Sequence, residues 1–333
     1  MLIEPRDNGL YCAAGDFYID PWRPVERALI THAHADHARA GHGHYWAENS
    51  GVALLQQRLG ADISITGVAY GQALTFGDTT VSFHPAGHVL GSSQIRVADD
   101  NEVWVASGDY KREADPTCED FEVVPCDTFI TEATFALPVY RWAPCREVAA
   151  DLVAWWADNA AAGRASVVFS YSLGKAQRLL AEIGALTTGT AYLHGAMVPI
   201  TRLYREAGVD MLDTCPVSET DKNHDFSRDL IMAPPSAAGS RWMRRFGEHR
   251  TGFASGWMRI RGNRRRRGYD RGFVLSDHAD WPGLIDTIRA TGATRVLATH
   301  GRTDVLVNYL GSVGIDAAPL ITDYADGPEG EED

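Results

Sequence analysis

The stretch ITHAHADHA, residues 30–38, holds three histidines and an aspartate within six positions: His32, His34, Asp36 and His37. Imidazole nitrogens and carboxylate oxygens are the usual ligands of zinc, and they also suit manganese and iron. The alanine spacers are small, so one tight loop could direct ligands toward two metal ions. A chance surface loop is the less favoured interpretation, and the segment predicts a metal centre.

Five further histidines and acidic residues come at or just after predicted strands: His88, Asp109, Glu132, His278 and His300. Loops at one edge of a layered sheet gather such residues into an active site. We therefore expect these side chains to meet the histidine-rich loop. Other histidines, such as His42 and His44, are interpreted as ordinary loop residues.

The predicted secondary structure that must position these residues changes along the chain, from strands with short turns to units that combine strands and helices. The first third alternates strands with short turns, as in VSFHPAGHVLGSSQIRV and DTFITEATF. From about residue 144, helical spacing and strand–turn–helix units follow, as in RASVVFSYSLGKAQRLLAEIGAL. Two last units, GFVLSDHADWPGLIDTIRATG and ATRVLATHGRTDVLVNYLGSVG, place a histidine just after each predicted strand. The pattern predicts an α/β module inserted into another layered α/β structure.

Composition limits the classes of protein to consider. The 333 residues are 45% hydrophobic and 23% charged, which favours a globular chain over a disordered one. No apolar run reaches the roughly 18 residues that a membrane span needs, and the first 20 residues lack the pattern of a secretory signal. The five cysteines are scattered and form no CxxC pair, which is typical of reduced thiols. We expect a cytoplasmic protein without membrane contact.

The net charge and the distribution of charge lead to opposite expectations about nucleic-acid binding. The net charge of −13 argues against binding by bulk charge, yet arginines cluster in RWMRRFGEHR (241–250) and RIRGNRRRRGYDR (259–271). Such a cluster is either a solvated loop or a groove for phosphates, and the run Arg264, Arg265, Arg266 and Arg267 is a candidate for the second. Ser170 and Lys175, in SYSLGKAQ, could hold a phosphate at a helix start or form a plain helix cap.

The motif HAHADH resembles the signature of metallo-β-lactamase-fold hydrolases. HPAGHVLGSSQI, SGDY, TEATF, SDHAD and THG resemble, in order, the remaining motifs of the β-CASP nucleases of that fold. This branch includes the pre-mRNA 3′-end endonuclease, RNase J and Artemis-type DNA-repair nucleases, and the chain is most similar to the bacterial ligase-associated DNA exonuclease group. The resemblance runs from Asp20 to about residue 310.

The resemblance implies a metallo-β-lactamase αββα sandwich, residues 1–135 and 272–333, with a β-CASP domain inserted at 136–271 that leaves a cleft over the metals. It implies two divalent ions, zinc or else manganese. His32, His34 and His88 would bind the first ion, and Asp36, His37 and His300 the second. Asp109 would bridge the ions and Asp20 would brace the ligand loop. His278, oriented by Glu132, would contact the phosphate or protonate the leaving oxygen.

The implied activity is hydrolysis of a phosphodiester by two-metal activation of water, in a DNA exonuclease of DNA repair with possible DNA ligase and helicase partners. The sequence TEATFALPVY favours DNA, whereas His300 matches the RNA-processing members. An RNA-processing β-CASP ribonuclease therefore stays open as an alternative. A non-nuclease hydrolase such as a glyoxalase or lactamase is disfavoured by the Glu132 and His278 motifs, and an inactive binding protein by the complete ligand set.

Overall fold

The computed structural model describes residues 1–260 and 268–322. The predicted nucleic-acid contacts Arg264, Arg265, Arg266 and Arg267 lie outside the described residues. The chain divides into two compact units. The first contains Met1–Arg141 together with the chain from His278 onward, and the second contains Trp142–Asp277.

Two sheets build the first unit, and strands are numbered here in chain order. The six strands of one sheet lie side by side in sequence order: β1 (Glu4–Arg6), β2 (Gly9–Cys12), β3 (Phe17–Ile19), β4 (Arg27–Leu29), β5 (His44–Glu48) and β6 (Ile65–Val68). Its first three strands are antiparallel, and β3 to β6 are parallel.

The other sheet has seven strands: β7 (Leu74–Phe76), β8 (Thr79–Pro85), β9 (Ser93–Ala98), β10 (Val103–Ala106), β11 (Thr128–Glu132), β18 (Arg295–Thr299) and β19 (Asp316–Pro319). Their order is β19-β18-β11-β10-β9-β8-β7. Strands β7 to β10 are antiparallel, whereas β10, β11, β18 and β19 run parallel. Parallel neighbours bring the ends of β10, β11 and β18 to one edge, which is where the candidate site begins.

The core of the first unit lies between the two sheets. Alternate residues of each strand point inward, so Phe17 and Ile19 of β3 share one buried cluster with Val81 and Phe83 of β8. The outer face of the seven-stranded sheet is covered by α5 (Trp281–Thr291) and α6 (Thr303–Ser312). The remaining helix of this unit, α1 (Val52–Leu59), buries Leu54 and Leu55.

The second unit is built on one parallel sheet. Its six strands are β12 (Ala165–Phe169), β13 (Thr190–Leu193), β14 (Asp213–Pro216), β15 (Leu230–Ala233), β16 (His249–Ala254) and β17 (Arg271–Phe273), in the order β14-β13-β15-β12-β16-β17. The α-helices in the described part of this unit are α2 (Cys145–Ala161), α3 (Lys175–Gly184) and α4 (Val198–Glu206), and one of its 3-10 helices spans Arg241–Phe246. All five residues of β12 are buried, as expected for a parallel strand covered on both faces.

The structure confirms a mixed α/β protein with several sheets. Helix α2 begins at Cys145, directly after Pro144, which agrees with the helical spacing predicted from about residue 144. The strand predicted before His278 is shorter than expected, because β17 ends at Phe273 and residues 274–280 form no regular element. All five cysteines are free thiols. Among residues 1–260 and 268–322, no helix is long and apolar enough to cross a membrane.

Candidate metal centre

The histidine-rich loop follows β4 and makes a tight turn. The backbone N–H groups of His37 and Ala38 both donate to the carbonyl of His34, at 3.2 and 2.8 Å. This turn places His32 and His34 side by side, with His32 Nε2 and His34 Nδ1 3.1 Å apart. The small alanine spacers permit this, since the side chain of Ala33, between the two histidines, is buried.

The first group of potential ligands comprises His32, His34, His88 and Asp109, all of which are buried. His88 comes from the loop after β8, and its Nε2 lies 3.0 Å from His34 Nδ1. The Asp109 Oδ2 atom lies 3.5 Å from His32 Nε2 and 3.7 Å from His88 Nε2. A tetrahedral zinc with bonds of about 2.0–2.1 Å needs ligand atoms about 3.3–3.4 Å apart, and these separations fall around that value.

The second group comprises Asp36, His37 and His300. His37 Nε2 lies 3.6 Å from Asp36 Oδ2. The His300 ring follows β18 and stacks on His37, with the ring centroids 5.1 Å apart. One carboxylate and two imidazoles from two separate loops thus face one point.

Asp109, just after β10, connects the two groups. Its Oδ2 faces the first group, whereas its Oδ1 lies 3.5 Å from His37 Nε2 in the second. A carboxylate with one oxygen toward each ligand group has the arrangement of a bridge between two cations. The His/Asp clusters could therefore bind metal ions.

A hydrogen-bonded chain behind the loop fixes which histidine nitrogens face the ligand groups. His37 Nδ1 donates to Asp20 Oδ2 at 2.8 Å, which leaves Nε2 for a metal. The Thr31 hydroxyl donates to the same oxygen at 2.6 Å and accepts from His32 Nδ1 at 3.0 Å. Asp20 Oδ1 also accepts the Thr31 N–H. Such partners orient metal-binding histidines and raise their basicity.

Protonation also suits a cation at this position. Burial would raise the pKa of the Asp109 carboxyl, but the imidazoles of His37 and His278 hold that pKa well below its usual value. Burial lowers the pKa of His32 well below the ordinary range, so this imidazole is neutral. Metal binding requires a carboxylate and a neutral imidazole.

Two observations test whether a metal fits. The Oδ1 atom of Asp36 is buried and has no hydrogen-bond partner among the described residues. Burial lowers the pKa of His37, but Asp36 and Asp109 outweigh burial and raise that pKa well above its usual value. The carboxylates therefore favour positive charge between them, and a metal ion would supply that charge and a ligand position for Asp36. The donor set fits a divalent metal.

Glu132 and His278 form a pair next to the first group. Glu132 is the last residue of β11 and is 1% exposed. One of its oxygens accepts the Tyr110 N–H at 2.9 Å, and the other accepts from His278 Nδ1 at 2.9 Å. The His278 side chain is 16% exposed and its ring lies 4.8 Å from that of His88. His278 is thus oriented by a buried carboxylate and remains accessible.

The backbone at this site adopts conformations that are rare for residues with a side chain. Asp20 and His300 have φ angles of 42° and 58°, in the left-handed region. Such strain persists where surrounding contacts fix the conformation, often at functional sites. Gly108, with φ 55°, precedes Asp109, and a Cβ there would lie 2.7 Å from the Thr31 side chain. The close approach of the β10 loop to Thr31 requires glycine at position 108.

Ser170 and Lys175, the other predicted phosphate contacts, lie in the second unit. Ser170 follows β12 and is fully buried. Lys175 is 4% exposed, its Nζ lies 3.4 Å from Asp277 Oδ2, and it sits over the Tyr171 ring. A buried, ion-paired lysine is not presented to a ligand in this conformation, so a phosphate contact stays a prediction.

Three residues that the structure places at the site had no role predicted from the sequence: Thr31, Tyr110 and Phe135. Thr31 immediately precedes the first histidine of the loop, and a hydroxyl at that position was the available signal. The Tyr110 contribution is a backbone N–H and carries no sequence signal. Phe135 packs against His278, with ring centroids 5.8 Å apart.

Comparisons with known proteins add three findings. No protein-family model matches the sequence. The chain is 30% identical over 317 residues to a protein of Opitutus terrae named "Probable DNA ligase"; the match covers 93% of this chain and 30% of that relative. A crystal structure of a protein of unknown function from Enterococcus faecalis V583 is similar in fold, with a TM-score of 0.59 and 12% identity, and the similarity covers 90% of this chain and 80% of that one. The chain therefore shares its fold with a solved protein and spans about a third of its curated relative.

Proposed function

We propose that this chain is a metal-dependent DNA exonuclease of the metallo-β-lactamase fold, with a β-CASP domain inserted at about 136–271. The observation that carries the proposal is the position of Asp109 between the two ligand groups, with one oxygen toward each. His32, His34 and His88 would hold one divalent cation, and Asp36, His37 and His300 a second. Two such cations supply Lewis-acid polarisation of a phosphodiester and a lowered pKa of water.

The chain's own residues would orient the metal ligands and donate a proton to the leaving group. Asp20 and Thr31 hold the Nδ1 sides of His37 and His32, so that both present Nε2. Glu132 accepts from His278 Nδ1 and thereby stabilises the imidazolium form. His278 Nε2–H would then donate a proton to the departing sugar oxygen. Proton donation from such a group contributes typically about 10²–10⁴-fold in rate.

DNA is the favoured substrate because the relative that matches nearly this whole chain is named a probable DNA ligase. About two thirds of that relative lies outside the match. In that relative, a segment similar to this chain is therefore part of the same polypeptide as a longer second segment. A DNA ligase acting on the same DNA is accordingly the proposed partner, with a helicase as a second. An RNA-processing ribonuclease is the alternative that the same site would serve.

The test combines metal analysis with digestion. The purified protein should carry close to two metal ions per chain. End-labelled single-stranded DNA, duplex DNA and RNA of one sequence are then incubated with it, and products are resolved over time. Stepwise shortening of DNA supports the proposal, and preferential cleavage of RNA supports the alternative. Full activity after metal removal would contradict both.

A further inference from the structure

The 3-10 helix at Arg241–Phe246 presents positive charge that the structure does not neutralise. Arg241 and Arg244 are both exposed, and neither guanidinium has a hydrogen-bond or ion-pair partner among residues 1–260 and 268–322. A 3-10 helix has three residues per turn, so residues i and i+3 eclipse and lie about 6 Å apart along the axis. The two arginines therefore form one stripe on a protein whose net charge is −13.

This helix is firmly anchored beneath the stripe. Met243 and Phe246 are buried in the core cluster on one face of the parallel sheet. Arg245, the third arginine, is used internally: its Nη2 donates to the Thr220 carbonyl and hydroxyl and to the Asp221 carbonyl. Arg245 thus stabilises the fold, while Arg241 and Arg244 remain available to a ligand.

An aromatic pair lies beside the stripe. Trp242 is partly exposed, and its indole ring packs edge-on against His194, with centroids 4.7 Å apart, and against Phe246 at 4.6 Å. His194 follows β13, where its N–H donates to the Met232 carbonyl and its Nδ1 accepts the Ala196 N–H. The tryptophan is therefore held in one orientation at the carboxyl end of the parallel strands.

We infer that Arg241, Trp242 and Arg244 form a contact surface for single-stranded DNA, with the guanidinium groups on phosphates and the indole against a base. Guanidinium forks match phosphate oxygens, and stacking of bases on aromatic side chains is the sequence-tolerant way to hold a single strand. Duplex bases are already stacked on one another and offer no free face to Trp242. The inference rests on the proposed action on DNA and names the strand state of its substrate.

The experiment measures binding of a nuclease-resistant phosphorothioate dT12 by fluorescence anisotropy across salt concentrations. The R241Q/R244Q variant should bind about tenfold more weakly at 0.1 M salt, and its log–log salt slope should fall by about 1.4, since each single-strand phosphate contact contributes about 0.7. The matched control, R202Q/R228Q, removes two exposed charges from the same unit and should bind like wild type. Equal loss in both variants, or loss in neither, overturns the inference.

A second arm tests the stacked base. Wild type should bind dT12 about 5- to 100-fold more tightly than an abasic oligonucleotide of the same length, and W242L should remove that difference. A difference that persists in W242L, or a duplex bound as tightly as the single strand, contradicts the inference. Binding is measured without hydrolysis, so failure of the proposed nuclease activity appears separately, in assays on bis(p-nitrophenyl) phosphate and cleavable DNA. The exposed arginine variant keeps the test valid even if W242L fails to fold.

Discussion

At the scale of single residues, the candidate centre contains histidines with two different kinds of partner. His37 and His32 donate from Nδ1 to the Asp20–Thr31 pair and turn Nε2 toward the ligand groups. His278 donates from Nδ1 to Glu132 and lies at the accessible side of the first group. In the proposed mechanism, the imidazoles would serve ligand binding in one place and proton transfer in the other, because their Nδ1 partners and their exposure differ.

The His278→Ala and His300→Ala variants should therefore lose activity for different reasons. His300→Ala removes a proposed ligand, so the metal content should fall from about two ions toward one, and added metal should restore part of the rate. His278→Ala should keep both ions and lose about 10²–10⁴-fold in turnover on DNA. The measurement is metal content together with rate for each purified variant.

The leaving group separates the two roles further. The His278→Ala deficit should shrink on bis(p-nitrophenyl) phosphate, because nitrophenolate departs without a proton. His300→Ala should lose rate on both substrates alike. Loss of metal from His278→Ala, or an equal deficit of that variant on DNA and on the activated ester, would show that this division of roles is wrong.

Thr31 offers a residue-scale test of the hydrogen-bonded chain behind the loop. Thr31→Val keeps the side-chain shape but removes the hydroxyl that links Asp20 to His32. Metal affinity should fall by about 10- to 100-fold, as for other partners of metal-binding histidines. Competition with a chelator of known affinity measures this effect. Thr31→Ser retains the hydroxyl and should bind metal like wild type; equal loss in both variants would assign the effect to packing.

At the scale of elements, helix α5 begins three residues after His278, and its two ends carry residues that signal helix boundaries in a sequence. Asp280 caps it by accepting the Gly283 N–H at 2.9 Å, Pro282 occupies the first turn, and Gly292 ends it with φ 70°. These residues have intrinsic preferences for those positions. Periodicity and end signals of this kind made the helices and the longer strands predictable.

Removing that cap should destabilise the protein without altering its fold. Asp280→Ala should lower the free energy of unfolding by about 1 kcal/mol, within a range of about 0.5–2 kcal/mol, because the Gly283 N–H loses its acceptor. Urea denaturation followed by circular dichroism gives the value. Asp280→Asn keeps a capping oxygen and should stay close to wild type, and an asparagine variant as unstable as the alanine variant would contradict the cap argument.

The parts of the site that the sequence did not predict depend on long-range contacts. The ligand types were visible in HAHADH, but the direction of each Asp109 oxygen is set by loops from β4, β8 and β10 meeting in space. The local pattern around Lys175 fitted either an anion contact or a plain helix cap, and it could not reveal the burial of this lysine against Asp277, about 100 residues later. The end of β17 at Phe273 reflects the partner strand β16, which pairs only as far as Ala254.

At the scale of the whole molecule, the proposed metal sites belong to one unit only. Both groups of potential ligands, and the Glu132–His278 pair beside them, lie within Met1–Arg141 and the chain from His278, and the described part of the second unit contributes no ligand. Each unit also has its own buried core. Metal binding should thus act on the stability of the first unit.

Thermal unfolding should reveal this difference between the units. A ligand at about 100 times its Kd stabilises the folded state by about 2.7 kcal/mol, and about 1 kcal/mol shifts the Tm of a domain of 150–250 residues by about 2–4 °C. Removal of metal should then lower the transition of the first unit by at least about 5–10 °C and leave that of the second in place. Differential scanning calorimetry with and without a chelator measures both transitions.

Asp36→Ala should already show part of the shift with metal present, whereas His194→Gln, in the second unit, should respond to the chelator like wild type. A single transition that moves as a whole, or none that moves, would mean either that the units unfold together or that the clusters hold no metal.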